Sequence, residues 1–263
     1  MESMTKPTSE PGRLLLELNT SRANISLRNP PVNVIDIRMM EELGSALAEI
    51  ESHAEIGMIL LRGEGKCFSS GVDVAAHAPG KVGEMLEKFH AVIRALVATK
   101  KITIAAVHGH CLGGGAELAM VCDIVITADS AVWGFPEIKL GCFPPVAATA
   151  LGALIGQKRA SELILTGRTI TGREAAQMGL ATNAAAEQQL QAEVDATVGR
   201  LQSLSPAALA CAKKAIYAWD AMHFDKGLAR AEKVYHEELT KTADAEEGIR
   251  AFLERRNPQW KGR

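Results

Sequence analysis

The sequence lacks the features that would assign the protein to a membrane, secreted or zinc-binding class. No apolar run approaches the roughly 18 residues needed to cross a bilayer, and the polar N-terminal segment has no apolar stretch like that of a secretory signal. The five cysteines are widely spaced and form no CxxC pair, which argues against a zinc site or a disulfide framework. We therefore expect a cytoplasmic protein.

The chain also has little excess charge and few aromatic residues. Lysine and arginine number 29 and aspartate and glutamate 31, while aromatic residues make up 4% of the chain. A net charge of −2 gives no electrostatic reason to expect nucleic acid or an anionic membrane as a partner. What the chain does have is 47% hydrophobic residues over 263 positions, which is enough for a substantial core.

Apolar patterns of strand and helix type alternate in the first part of the chain. Strands are predicted over residues 13–18, 24–27, 57–62, 102–107 and 124–128, and helices over 37–51, 81–99 and 115–122. This alternation predicts an α/β protein with helices covering sheets.

Strand signals fade after about residue 151, and the rest of the chain has the pattern of successive helices. These are predicted over residues 160–166, 173–178, 190–204, 206–222, 224–240 and 244–256. We expect a flexible N-terminus over residues 1–12, an α/β core over 13–200 and a C-terminal helical region over 201–263.

A run of three glycines in Leu112-Gly113-Gly114-Gly115-Ala116-Glu117 is the most informative segment. Glycine has no Cβ atom, so a ligand oxygen can approach the backbone N–H groups closely. Good helix formers follow, which puts these N–H groups in a first helical turn where they lack intrahelical partners. Such a helix end favours a developing oxyanion. An isolated glycine run is more often only a tight strand-to-helix turn, so the functional interpretation depends on the surrounding sequence.

That surrounding sequence resembles the crotonase (enoyl-CoA hydratase/isomerase) family. The resemblance rests on residues 104–123, which contain the glycine run, and on Trp133-Gly134-Phe135-Pro136-Glu137-Ile138. It continues upstream in Cys67-Phe68-Ser69-Ser70-Gly71-Val72-Asp73 and downstream in residues 163–167, 174–180 and 246–256. It covers about residues 12–261, and the joint match is specific although each piece alone is weak.

The resemblance implies a spiral of ββα units followed by a C-terminal helical region that mediates trimer contacts. We therefore expect a homotrimer or a dimer of trimers. It also implies an acyl-CoA thioester as the substrate, no metal, and no cofactor beyond the CoA that the substrate carries. The expected role lies in acyl-CoA metabolism, of fatty acids or of aromatic compounds.

The chemistry implied is the addition of water to an α,β-unsaturated thioester. Such a reaction needs donors for the thioester oxygen, a base for the water and an acid for the α carbon. The family's oxyanion donors match the backbone N–H groups of Val72 and Gly114, and its two glutamates match Glu117 and Glu137. We predict that Glu117 orients and deprotonates the water and that Glu137 protonates the α carbon, the pair titrating as a unit. A lone glutamate is usually a surface residue, so these roles rest on the matched motifs.

The segment over residues 140–148 departs from the glycine-rich turn that follows the second glutamate in many simple hydratases. Two prolines stiffen it, and bulky residues precede it. We name as acyl-pocket candidates Trp133, Phe135, Phe143 and Pro144. They favour a shaped pocket for a cyclic or branched acyl group. Residues 71–74 and 143–146 are similar to those of cyclohexa-1,5-dienecarbonyl-CoA hydratases of anaerobic benzoyl-CoA breakdown.

The resemblance also implies where the CoA moiety lies. It places the substrate beside Val72, Asp73 and Val74, and it allows basic residues near the C-terminus to meet the CoA phosphates. Candidates for that contact are Arg255, Arg256 and Lys261. A solvated basic helix end explains these three residues equally well.

The remaining reactive side chains have simpler explanations. The histidines at positions 77, 90, 108 and 110 lack the spacing of a metal site, so we interpret them as structural. Cys111 has no base partner in the sequence, which indicates packing. No GxGxxG or P-loop order suggests NAD or ATP. Two other functions stay open: a double-bond isomerase in which one glutamate shuttles a proton, and a noncatalytic RNA- or protein-binding relative.

Overall fold

The computed structural model describes residues 12–78, 80–217 and 221–261. Nearly all of the expected flexible N-terminus over residues 1–12 therefore lies outside the described residues. Within them, the strands are β1 Leu14–Leu18, β2 Arg22–Leu27, β3 Met58–Gly63, β4 Ile102–Val107, β5 His110–Leu112, β6 Ile124–Ala128, β7 Val132–Gly134, β8 Thr169–Thr171 and β9 Asn183–Ala185. The α-helices are α1 Ile37–Ser52, α2 Val82–Ala98, α3 Gly114–Met120, α4 Pro145–Ile155, α5 Gln157–Thr166, α6 Gly172–Met178, α7 Leu190–Gln202, α8 Pro206–Tyr217, α9 Ala221–Glu237 and α10 Ala243–Leu253.

Six strands form the main sheet in the order β1-β2-β3-β4-β6-β9. Only the β1–β2 pair is antiparallel, and the other neighbours are parallel. Every residue of β4 is buried, as expected for a central parallel strand that is covered on both faces. The predicted α/β class is confirmed.

The two faces of the main sheet belong to different apolar clusters. Ile59 and Leu61 of β3 join the large core that contains α1 and α2, whereas Met58 and Leu60 join a smaller cluster with α7. Successive side chains of a strand point to opposite faces, so the continuous apolar run in β3 serves both layers.

A second, three-stranded sheet in the order β5-β7-β8 lies next to the glycine run. Strand β5 ends at Leu112, and α3 begins at Gly114. A bridge between Ser69 and Cys111 ties the loop that follows β3 to β5. The two segments that resemble oxyanion loops are thereby fixed against each other.

The structure corrects several predicted elements in the second half of the chain. The segment over residues 140–148, interpreted as a stiff turn, contains the first residues of α4 because Pro145 occupies the first helical position, where no N–H bond is lost. Short strands β8 and β9 occur where strand signals had faded, and helix α5 begins at Gln157. The helix predicted over 206–222 crosses residues 218–220, which lie outside the described residues, and Met222 belongs to α9.

Across the part of the chain that the structure describes, no helix is both long and apolar enough to span a bilayer.

Candidate active site

The glycine run forms the sharp turn between β5 and α3. Gly113 has φ +52°, a conformation that L side chains rarely adopt. A Cβ atom there would lie 2.7 Å from Glu137 Oε1, and one on Gly114 would lie 2.6 Å from Val72 Cγ2. The absence of side chains therefore lets the start of α3 approach both Val72 and Glu137.

The backbone of Val72 leaves its N–H free. On one side of the chain, Ile35 N–H donates to Gly71 O at 2.9 Å and Asp73 N–H donates to Ile35 O at 3.1 Å. Because successive peptide groups of an extended segment point in opposite directions, the Val72 N–H points away from Ile35. It has no acceptor among the described residues.

Gly114 supplies a second free N–H beside the first. Gly114 is the first residue of α3, so its N–H has no intrahelical partner, and no other acceptor is found for it in the described ranges. A Cβ atom on Gly114 would be 3.5 Å from Val72 N, which shows how closely the two segments approach. Two free donors side by side, one of them at a helix N-terminus, suit a developing oxyanion.

Glu117 lies in the first turn of α3 and is held by the start of another helix. Its side chain is 3% exposed, and its Oε1 accepts the Ala147 N–H at 2.9 Å. Ala147 is in the first turn of α4. The N–H groups of a first helical turn lack intrahelical acceptors. Burial raises the pKa of Glu117 to about 7, while hydrogen bonds from the backbone of Ala147 and Val146 oppose the rise.

Glu137 lies on the 3₁₀ helix Pro136–Leu140 and faces a different environment. Its Oε2 is buried and has no hydrogen-bond partner among the described residues. Burial first, and then the charge of Glu117, raise the pKa of Glu137 well above its ordinary value. Near neutral pH the pair therefore holds a proton on Glu137 while Glu117 can ionise.

The glutamates and the two donor residues line one cavity of about 70 Å³. By the same measure a water molecule needs roughly 10–15 Å³, so the space holds a few waters. Val74 also lines it, whereas Asp73 caps the following 3₁₀ helix by accepting the Ala75 N–H at 3.0 Å. The structure thus brings together Val72, the pair Gly114 and Glu117, and Glu137, which come from three separate segments of the sequence.

The four acyl-pocket candidates divide into two pairs. Phe143 and Pro144 line the cavity. Trp133 and Phe135 do not, and both side chains are 0% exposed and belong to the main core. The Trp133 Nε1–H donates to Thr127 Oγ1 at 3.0 Å, which holds the indole in the protein interior. The structure does not bring Trp133 and Phe135 to this cavity, and their role in an acyl pocket stays a prediction. Bulk near a motif does not reveal which way a side chain points.

The three basic candidates for the CoA phosphates lie at the exposed end of the chain. The Arg256 guanidinium is within 2.6 Å of both Glu247 Oε1 and Glu254 Oε2, so its charge is already paired. Neither Arg255, Arg256 nor Lys261 lines the cavity. Their contact with phosphates stays a prediction.

Two contributions to the site were not predicted from the sequence. One is the start of α4, which the prolines at 144 and 145 followed by an apolar run could have indicated. The other is Tyr235 of α9, which lines the cavity with its ring 5.2 Å from that of Phe143. No local pattern links a residue so far along the chain to the glutamates.

No group of three or more His, Cys, Asp or Glu side chains within the described ranges is placed to hold a metal ion. The site holds one buried and one partly buried carboxyl group of raised pKa beside two free backbone N–H groups. Such an arrangement is suited to acid–base chemistry with stabilisation of an oxyanion.

Comparison with known proteins identifies the family. The sequence model of the enoyl-CoA hydratase/isomerase family matches residues 17–263. The chain is 36% identical over 250 residues to a probable enoyl-CoA hydratase of Mycobacterium tuberculosis, covering 94% of this chain and 97% of the relative. It is 33% identical over 255 residues to the cyclohexa-1,5-dienecarbonyl-CoA hydratase of Thauera aromatica, covering 97% and 98%.

A solved structure has the same fold. The crystal structure of an enoyl-CoA hydratase from Mycobacterium avium subsp. paratuberculosis superposes with a TM-score of 0.86 at 26% identity, covering 95% of this chain and all of that one. The protein therefore belongs to the enoyl-CoA hydratase/isomerase family, whose fold is the crotonase fold. The predicted family and the prediction of an enoyl-CoA hydratase-like lyase are confirmed at this level.

Proposed function

We propose that the protein adds water to the α,β double bond of an enoyl- or dienoyl-CoA thioester. The observation that carries the proposal is the coupled pair Glu117 and Glu137 in one cavity with the free N–H groups of Val72 and Gly114. The names of the relatives support a hydratase.

In this proposal the thioester oxygen sits between the N–H groups of Val72 and Gly114. As water adds to the β carbon, electrons move to that oxygen, and the two donors stabilise the enolate. Loss of one such donor typically costs about 3 kcal/mol of transition-state stabilisation. Neither N–H is bonded to an acceptor within the described part of the chain, so the site is preorganised.

The two glutamates then supply the base and the acid. Ionised Glu117 takes a proton from the attacking water, and the oxygen bonds to the β carbon. Protonated Glu137 gives its proton to the α carbon as the enolate collapses to the thioester. Each carboxyl group ends in the opposite protonation state, and proton exchange with solvent restores the pair. Glu117 retains the Ala147 N–H as a hydrogen-bond donor in its ionised form, which favours the charge on that residue.

The acyl group in this proposal is compact, and a cyclic diene is one candidate. Phe143 and Pro144 narrow the cavity of about 70 Å³, and the relative from Thauera aromatica is named for a cyclic dienoyl-CoA. A cytoplasmic location, a trimer or hexamer, and the absence of a cofactor stay predictions.

Initial rates with crotonyl-CoA and cyclohexa-1,5-dienecarbonyl-CoA test the proposal, using the wild type and Glu117→Gln. We expect hydration that the substitution suppresses, with the higher kcat/KM for the cyclic diene. A higher kcat/KM for crotonyl-CoA would contradict the cyclic acyl group and leave hydration standing. Turnover of neither would contradict hydration and return attention to an isomerase or a noncatalytic relative.

A further inference from the structure

His90 is a buried polar residue in the wall of the active-site cavity that the proposed reaction does not use. It lies on α2, is 0% exposed and lines the same cavity as Glu117 and Glu137. Its Nδ1 is 2.8 Å from Glu232 Oε1 on α9. Its Nε2 is buried and has no hydrogen-bond partner among the described residues.

Glu232 fixes which ring nitrogen of His90 carries the proton. Glu232 Oε1 also accepts a hydrogen bond from Arg94 Nη2 at 2.8 Å. Burial alone would raise the pKa of Glu232, but the hydrogen bonds from Arg94 and His90 lower it. An ionised carboxylate only accepts hydrogen bonds, so His90 Nδ1 is the donor.

The other nitrogen of His90 is therefore an acceptor. Burial lowers the pKa of His90, and the charge of Arg94 adds to that effect, while Glu232 opposes it. The ring is neutral near pH 7, with its proton on Nδ1 and a lone pair on Nε2. A buried acceptor without a donor is unfavourable, and native sites rarely keep one without a function.

No described residue donates a hydrogen bond to His90 Nε2. Met85, Leu86 and Phe89, which precede His90 on α2, line the cavity beside it, as does Phe143. A hydrocarbon acyl group would pack on these side chains and leave His90 Nε2 unpaired. A ketone or ether oxygen would bring a second acceptor. A hydroxyl group would supply the missing hydrogen bond.

We propose that His90 Nε2 accepts a hydrogen bond from a hydroxyl group carried by the acyl chain beyond the reacting carbons. His90 is then a specificity-determining residue that favours a hydroxylated acyl group over the hydrocarbon acyl group of the same skeleton. This inference rests on the proposed acyl-CoA function and refines its substrate class. Sites built to bond a substrate hydroxyl discriminate strongly against analogues that lack it, because the buried partner is left unpaired.

Binding of saturated acyl-CoA esters tests the inference without turnover. The probes are butyryl-CoA, 4-hydroxybutyryl-CoA and 4-methoxybutyryl-CoA, with pentanoyl-CoA and 5-hydroxypentanoyl-CoA to place the hydroxyl one carbon deeper. Isothermal titration with the wild type should give a Kd at least tenfold lower for one hydroxylated ester than for its hydrocarbon partner. The methoxy ester, which has the oxygen but no donor, should show no such gain.

Substitutions of His90 separate recognition from packing. His90→Leu should abolish the preference, whereas His90→Gln, whose amide oxygen reaches close to the Nε2 position, should retain part of it. His53→Leu is the matched control, because the Nδ1 of His53 is 2.9 Å from Glu55 Oε1 at an exposed site and the residue does not line the cavity. That control should bind like the wild type.

Equal affinity of the wild type for the hydroxylated and hydrocarbon esters would overturn the inference, as would a preference that survives His90→Leu. Should His90→Leu fail to fold, the wild-type comparison of hydroxy and methoxy esters still decides. Hydration assays with but-2-enoyl-CoA and 4-hydroxybut-2-enoyl-CoA separate the two proposals. Hydration of both with equal kcat/KM contradicts only the role of His90, whereas selective binding without any hydration contradicts only the hydratase.

Discussion

Glu117 and Glu137 are the same residue type in one cavity, and their immediate partners make them different. Glu117 accepts an N–H group from the start of α4, whereas Glu137 Oε2 has no partner in the described part of the chain. A hydrogen bond from a backbone N–H favours the ionised form of a carboxyl group, and an unpartnered buried oxygen favours the neutral form. This asymmetry is the physical basis for assigning the base to Glu117 and the acid to Glu137.

Amide replacements test that assignment at the residue scale. We expect Glu117→Gln and Glu137→Gln each to lower kcat for hydration by at least about 100-fold, since general acid–base catalysis contributes about 10²–10⁴-fold. The amide oxygen introduced by Glu117→Gln can still accept the Ala147 N–H, so the fold should persist. Steady-state kinetics and circular dichroism measure the two effects. Glu49→Gln, on the exposed side of α1, is the control, and a Glu137→Gln variant with full activity would contradict the role of Glu137.

The raised pKa values also predict how stability depends on pH. The pKa of Glu117 rises from 4.5 to about 7 in the folded protein, so the folded state keeps a proton that the unfolded state has lost. The stabilisation that this proton provides is complete below pH 4.5 and is lost as the pH rises through about 7. The total loss in the free energy of unfolding is on the order of 3 kcal/mol, at about 1.4 kcal/mol per pKa unit. The pKa of Glu137 is raised as well, so stability continues to fall at higher pH as Glu137 ionises.

Urea unfolding between pH 5 and pH 8 measures that dependence. The free energy of unfolding of the wild type should fall more steeply with pH than that of the double variant Glu117→Gln/Glu137→Gln. Parallel pH profiles for the two proteins would mean that neither carboxyl group has a raised pKa.

At the scale of elements, α10 supports the segment that carries Glu137. A Cβ atom on Gly248 of α10 would lie 2.2 Å from Leu140 O and 3.0 Å from Gly141 N. Leu140 ends the 3₁₀ helix that contains Glu137 and itself lines the cavity. The C-terminal helix therefore touches the backbone beside the proposed acid.

Gly248→Ala should consequently affect both stability and activity. The added methyl group must displace Leu140 or α10, which typically costs about 1–3 kcal/mol, and kcat should fall because Glu137 moves with its segment. The midpoint of urea unfolding and kcat give the two readouts. Gly199→Ala in α7, where nothing lies within 4 Å of the new Cβ, should be neutral or slightly stabilising. Wild-type values for Gly248→Ala would show that this contact does not position Glu137.

The sequence predicted best those helices and strands whose apolar pattern lies within one continuous segment. The apolar periodicity of α2 and the buried run of β4 are contained within single segments, and both were predicted close to their observed bounds. Strands β8 and β9, each three residues long, carry too few residues for a pattern. Helix α4 was missed because two adjacent prolines also suit a stiff turn, although Pro145 fits a first helical position.

The candidate site was predictable where motifs carry it and not where distant elements meet. The positions of Glu117, Glu137, Val72 and Gly114 follow from matched segments. The contributions of His90 and of α9 require tertiary contacts between helices that are distant in the chain, such as the His90–Glu232 hydrogen bond. The placement of Trp133 and Phe135 in the core could not be predicted for the same reason, since only the packed fold shows which side chains face the cavity.

At the scale of the whole molecule, the C-terminal region exposes several large apolar side chains. Ile216, Phe252, Leu253 and Trp260 are 48–70% exposed. Single exposed apolar residues are ordinary, but several in one region are typical of a surface that meets another subunit. Together with the family resemblance, they favour the predicted trimer or dimer of trimers.

Light scattering coupled to size exclusion measures the assembly directly. The mass should be three or six times the 28.1 kDa of one chain. Phe252→Ser/Leu253→Ser should shift it towards smaller species, whereas Leu165→Ser, at a 69% exposed position of α5, serves as a control outside the C-terminal region. A wild-type mass of one chain would contradict the predicted assembly.

The fate of solvent oxygen distinguishes hydration from a shift of the double bond. Crotonyl-CoA and cyclohexa-1,5-dienecarbonyl-CoA are incubated in H₂¹⁸O with the wild type, Glu117→Gln, Glu137→Gln and Glu49→Gln, and the products are analysed by mass spectrometry. We expect a hydroxyacyl-CoA labelled with ¹⁸O from the wild type and Glu49→Gln, and strongly reduced labelling from the other two variants. A product with a shifted double bond and no label, or labelling that is unchanged without Glu117, would contradict this expectation.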